Sequence, residues 1–151
     1  MAIARGPGTE IIRCHHFEAI NDTQQELIIG EQHHIYTVLS VIISANAATA
    51  GDAVYINLTG YDATAGDSAQ TNIRVMKWVI PAAGDIFVWN DKFSFNGYEP
   101  VDFGSPPLST AAEQNAIADQ GSGIAQKLGM VASDNAVGVE VHITFIDQNN
   151  A

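Results

Sequence analysis

Val137, Val139, Val141, Ile143 and Phe145 occupy alternate positions near the C-terminus, with Gly138, Glu140, His142 and Thr144 between them. A period of two belongs to a β-strand with one buried face, because successive side chains of an extended backbone point to opposite sides. From His34 to Ser44 the pattern differs. Ile35, Thr37, Leu39, Val41 and Ile43 form one face, yet Tyr36, Val38, Ser40, Ile42 and Ser44 form a second that is also half apolar. Two apolar faces predict a central strand or one covered by a neighbouring subunit. The turn residues between Ala45 and Asp52 then lead to Val54, Ile56 and Leu58 alternating with Tyr55, Asn57 and Thr59, which predicts a hairpin with the preceding strand.

Shorter apolar runs follow at Ile73 to Ile80, Ile86 to Trp89 and Phe93 to Phe95, separated by Pro81, Gly84 and Asp85. Proline and glycine end strands, so each run predicts a separate strand. The run Thr110-Ala111-Ala112-Glu113 matches a helix capping box, and a short helix or loop is expected there, with a thin apolar face of Ala112, Ala116 and Ile117. Together these segments predict an all-β fold: a single jelly-roll-like β-sandwich of about eight short strands with one helical or loop insertion. The sandwich is expected over residues 10–151, with the insertion near 98–123 and a flexible N-terminal arm over 1–9.

Charge narrows the classes of function. Six Lys and Arg stand against 17 Asp and Glu in 151 residues, a formal charge of −11, which disfavours nucleic acid and anionic membrane as partners. The start, Met1 to Gly8, has Arg5, Gly6 and Pro7 where a signal peptide needs an apolar run, and no segment approaches the roughly 18 apolar residues of a membrane helix. A protein soluble where it is made is the expectation. A single cysteine, Cys14, forms no internal disulfide, leaving burial and backbone hydrogen bonds to hold the fold.

Candidate chemistry is sparse. His15-His16 and His33-His34 are adjacent pairs, and adjacent strand residues face opposite ways, so neither pair can put both rings on one metal without a bulge. Zincin, Walker A, dinucleotide-binding and nucleophile-elbow motifs are all lacking. Ser133-Asp134-Asn135 matches one short motif of serine β-lactamases without its companions, and falls where a turn should join the last two strands. The expectation is therefore no enzyme, no cofactor and no metal. The aromatics Trp78, Phe87, Trp89, Phe93, Phe95, Tyr98 and Phe103 crowd one span; Phe87 and Trp89 share a face opposite Ile86 and Val88. Such a cluster suits a core layer, a subunit interface or a sugar-binding platform. As interface candidates we take Tyr36, Val38, Ile42, Trp78, Phe87, Trp89, Phe93, Tyr98 and Phe103.

Three strings carry a family likeness: Ile35-Tyr36-Thr37-Val38-Leu39-Ser40-Val41, the stretch from Ile80 to Phe93, and Val139 to Gln148. From about Glu31 onward the chain resembles small virion structural proteins of tailed bacteriophages, especially marine and cyanobacterial phages. It departs from their pattern between Tyr98 and Gly123. The resemblance implies a β-sandwich that assembles as trimers or larger rings on capsid, neck or tail. The expected role is a capsid decoration (cement) protein, made in the host cytoplasm and placed on the virion, with copies of itself, the major capsid protein or other virion proteins as partners. A homotrimer is the favoured oligomer. A neck, tail or baseplate component is the nearer alternative and a carbohydrate-binding module, through Trp78, Trp89 and Tyr98, the farther one.

Overall fold

The computed structural model describes residues 8–46, 50–60, 72–99, 110–112, 115, 124–134 and 138–150. Eleven strands lie among them: β1 (Thr9–Ile20), β2 (Gln25–Ile29), β3 (His34–Ala45), β4 (Ala53–Thr59), β5 (Asn72–Val79), β6 (Ile86–Trp89), β7 (Phe93–Asn96), β8 (Tyr98–Glu99), β9 (Ile124–Ala125), β10 (Lys127–Ala132) and β11 (Val139–Asn149). All pairings are antiparallel. Sheet A has the order β1-β11-β3-β6, with β7 also on β3; sheet B has the order β2-β10-β4-β5; β8 and β9 make a small third ladder.

This order is what a long hairpin yields when it is rolled up. β4 pairs with β5 at its tip, β3 with β6 and β7, β2 with β10, and β1 with β11 at its open end. The nested pairs then alternate between two sheets. That is the jelly-roll connectivity, two Greek keys in one sandwich. The hairpin expected between the His34 and Val54 segments is not formed, because β3 lies in sheet A and β4 in sheet B, where β4 pairs with β5 and β10. Sequence neighbours are separated here because the chain crosses between sheets after Ala45.

The core fills the space between the sheets. Val139, Val141, Ile143 and Phe145 of β11 point inward as their alternation predicts, and meet Val54, Ile56, Leu128 and Met130 of sheet B in one apolar cluster. Each such fully buried side chain contributes about 1.5–3 kcal/mol. The two-faced pattern of β3 has a local cause. Ser40 pairs with Thr144 and Val38 with Phe145, so Leu39 is an extra residue, a β-bulge that moves the inward face from Tyr36 and Val38 to Val41, Ile43 and Ala45. β3 is thus an interior strand, as one of the two sequence readings has it, but neither parity is continuously apolar.

The insertion is anchored at its base. β8 pairs with β9, joining residues 98–99 to 124–125. Gly97 N–H donates to His34 O (2.7 Å), Gln126 N–H to Gly97 O (2.9 Å) and Gly30 N–H to Gln126 O (2.8 Å). Backbones approach so closely there that a Cβ on Gly97 would lie 2.1 Å from Glu31 O, and one on Gly30 2.1 Å from Gly97 O. Only glycine fits at either position. Between those ends, Ala111, Ala112 and Asn115 have helical backbone and are exposed; the rest of the predicted helix, with Ala116 and Ile117, lies outside the described residues. The predicted arm over 1–9 likewise falls outside them up to residue 7, and Thr9 already pairs with Asn149.

Candidate interaction surface

The outward face of sheet A can be read row by row from the register. His16, His142, Ile42 and Val88 form one row, Cys14, Thr144 and Ser40 the next, and Ile12, Ile146, Thr37 and Ser94 the third. Glu140, Ser44 and Ile86 border them at one end; Glu10, Gln148, Ile35 and Asn96 border them at the other. Ile12 is 68% exposed, Ile86 63%, Val88 49% and Ile42 38%. Polar contacts between strands knit the rest: Thr37 Oγ1 and Ser94 Oγ are 2.9 Å apart, Cys14 Sγ and Thr144 Oγ1 3.5 Å, and the His16 and His142 rings 6.0 Å. Lys and Arg are absent from these rows. A sheet face that exposes Ile42, Val88 and Ile86 together, with Ile12 and Ile146 beyond a polar row, on an acidic chain is the surface expected of an interface.

The predicted interface residues divide between this face and the core. Ile42 is on the outer face. Tyr36 and Val38 are 3% and 1% exposed inside the sandwich, because the Leu39 bulge turns them inward, so they offer no surface. Trp78, Phe87, Trp89 and Phe93 are partly buried against the core, with Trp78 stacked on Phe87 (5.5 Å) and Trp89 on Phe93 (5.3 Å). The aromatic cluster is thus mainly a core layer, and the exposed residues of β6 are Ile86 and Val88, which alternate with Phe87 and Trp89. Tyr98 is half-buried in β8, and Phe103 lies outside the described residues. Reasoning from aromatic residues missed Ile12, Ile86, Val88 and Ile146; the parity opposite Phe87 and Trp89 was the available signal.

A polar network closes one end of the sandwich. Asp147, 2% exposed, takes His34 Nδ1 at 2.6 Å and Arg13 Nε at 3.1 Å, and His34 Nε2 lies 3.6 Å from Glu31 Oε2. Glu31 N–H donates to Tyr36 Oη at 3.1 Å. Burial, with Asp147 nearby adding to it, pushes the Tyr36 hydroxyl up to about 12. His15 Nδ1 sits 2.8 Å from Leu27 O and so ties β1 to β2 across the sheets. A cavity of about 250 Å³ opens beside this network, lined by Arg13, His15, Phe17, Tyr36 and Asp147 among others. Arg13, His34 and Asp147 beside it are paired with one another, which suits a structural clasp, while Glu26 Oε2 at its edge is buried without a hydrogen-bond partner.

Adjacent histidines do face opposite ways: His15 contacts the Phe145 ring inside (5.0 Å) while His16 meets His142 outside. Among the described residues, no three metal-ligating side chains converge. Ser133 and Asp134 follow β10 directly, and Ser133 Oγ accepts from Ala53 N–H at 3.0 Å, a turn role.

The outward face of sheet B has a different character. Arg74 lies 3.9 Å over the Tyr55 ring, with Lys77 Nζ 5.8 Å from the same ring. Lys127 shares this side through its pairing with Thr59, and Glu26, paired with Gly129, is the carboxylate of these rows.

No family model matches the chain, and no curated protein aligns with it. A protein of Bacillus endospore appendages, described as disulfide-linked pili, aligns over 100% of this chain and 97% of its own at 12% identity and a TM-score of 0.42. A chain in the structure of infectious bursal disease virus strain Gx aligns over 99% of this chain and 36% of its own at 10% identity and a TM-score of 0.38. The jelly-roll assignment rests on the strand order, and no role is taken from either likeness.

Proposed function

We propose that this chain is a structural protein of a virus particle, a capsid decoration (cement) protein that works by burying surface against copies of itself and the shell beneath. The observation that carries the reading is the outer face of sheet A, where Ile12, Ile42, Ile86 and Val88 stay exposed on a protein of net charge −11. The jelly-roll connectivity suits the role, being a frequent architecture of capsid domains. The three strings that resemble tailed-phage virion proteins supply the particle type. Two of them map to β3 and β11, and the third spans β6 and the start of β7; all lie in sheet A. A robust exterior component needs no catalytic constellation, and the Asp147 network fits a clasp that holds the sandwich shut.

The test is copy number by quantitative mass spectrometry of purified particles. Hundreds of copies per particle support decoration. A dozen or fewer favour a neck, tail or baseplate position, and absence from particles contradicts the virion reading. Binding on a glycan array that is lost in Trp89→Ala with the fold intact would instead favour the carbohydrate-binding alternative.

A further inference from the structure

Half of the six cationic residues, Arg74, Lys77 and Lys127, sit on the outward face of sheet B, around Tyr55. Among the described residues of its paired rows Glu26 is the carboxylate that stands against them, so these rows are positive on an otherwise acidic molecule. Among the described residues, these three cations form no ion pair with a carboxylate. The opposite face of the sandwich is its complement. Glu10, Glu18 and Glu140 rim the outward side of sheet A, Glu18 lying 3.9 Å from His16, and no Lys or Arg shares the paired rows of that side. Both faces expose β-branched side chains: Ile29 (58%) and Val79 (49%) on sheet B, and Ile12, Ile42, Ile86 and Val88 on sheet A.

We infer that copies of this chain associate head to tail, the outer face of sheet A in one copy docking on the outer face of sheet B in the next. This rests on the homo-oligomeric reading above and specifies its geometry. Sheet A on sheet A would bring like-charged glutamate rims together, and sheet B on sheet B would oppose the cations. Only the mixed contact pairs opposite charges while covering the exposed Ile and Val side chains of both faces. The smaller face sets the area. Four strands of five to eight residues, about 4.8 Å apart and on average roughly 21 Å long, give about 400 Å² per partner, or about 800 Å² in total, short of the roughly 1,000 Å² at which specific contacts begin. Such a contact is weak alone and gains strength by repetition in a ring or array. Because the two faces lie on opposite sides of the sandwich, this heterologous contact stacks copies into an open array or a large ring, and neither a closed trimer nor an isolated two-fold dimer is compatible with it.

Charge-swapped pairs test this by sedimentation velocity at low salt, with circular dichroism confirming the fold of each variant. Lys77→Glu/Lys127→Glu makes the face of sheet B acidic; Glu18→Lys/Glu140→Lys makes the face of sheet A basic. Each variant alone should associate about tenfold more weakly than wild type, and an equimolar mixture should recover association, since every contact between unlike variants is again complementary. Loss in only the sheet A variant would indicate a symmetric A-to-A contact and overturn the inference. Wild-type strength in both variants would overturn it too, leaving self-association by another surface. A wild-type chain that stays monomeric would remove the homo-oligomeric reading itself.

Discussion

Replacing Asp147 with Asn removes one negative charge from the sandwich end while keeping the side chain's size. The Asp147 side chain is 3% exposed, and two partners depend on it: His34 Nδ1 at 2.6 Å and Arg13 Nε at 3.1 Å. A hydrogen bond to a charged group contributes about 1.5–3 kcal/mol and a neutral one about 0.5–1.5, so the His34 contact should weaken by about 1 kcal/mol. The Arg13 pair has a larger gross Coulomb term, but the Arg13 side chain is 44% exposed and water screens it, leaving about 1 kcal/mol. Asp147→Asn should therefore cost about 2 kcal/mol in urea unfolding followed by Trp78 and Trp89 fluorescence, or about 4–8 °C in Tm for a chain of this size. Asp147→Ala, which leaves both partners without an acceptor, should cost about 3–5 kcal/mol. A double-mutant cycle of Arg13→Ala with Asp147→Asn should return a coupling above about 0.5 kcal/mol. An Asp147→Asn protein within about 0.5 kcal/mol of wild type would refute the clasp.

Glycine substitutions separate steric from backbone effects. Gly97→Ala places a Cβ 2.1 Å from Glu31 O and should cost about 2–3 kcal/mol, whereas Gly84→Ala, at φ +88 with nothing within 4 Å, should cost about 1 kcal/mol; equal costs in chemical denaturation would contradict the close approach. Tyr36 governs the alkaline limb of stability. Its hydroxyl titrates near 12 when folded against 10.0 when exposed, so the folded state holds that proton more tightly; stability should be level below pH 10 and fall by about 2–3 kcal/mol as pH rises to 12. Tyr36→Phe should flatten that fall in urea midpoints measured from pH 9 to 12, and an unchanged profile would assign the loss to other groups.

Much of the fold is written in local periodicity. The alternation through Phe145 places β11, and the Pro81 to Asp85 break separates β5 from β6. Sheet membership is not local. Whether the strand after Asp52 pairs with its predecessor or crosses to the other sheet depends on partners far along the chain, such as β10, and the hairpin expectation failed there. The β3 bulge was equally hidden, because one extra residue shifts parity without changing composition; its trace was the half-apolar second face, which pointed inward at Tyr36 and Val38 and not to a subunit contact. The clasp joins His34 to a residue 113 positions away, a spacing that no sequence window spans. The interaction face was partly legible. Ile42 was among the candidates, but weight given to large aromatics drew attention to Phe87 and Trp89, whose strand alternation places Ile86 and Val88 outside instead.

In the assembled protein the outer face of sheet A is expected to be covered. Sedimentation of wild type beside Ile42→Asp/Val88→Asp, across micromolar to millimolar concentration, tests it most directly. Wild type should rise above monomer mass with concentration while the double variant, still folded by circular dichroism, remains a monomer. Two proteins that sediment alike would show that this face stays open to solvent.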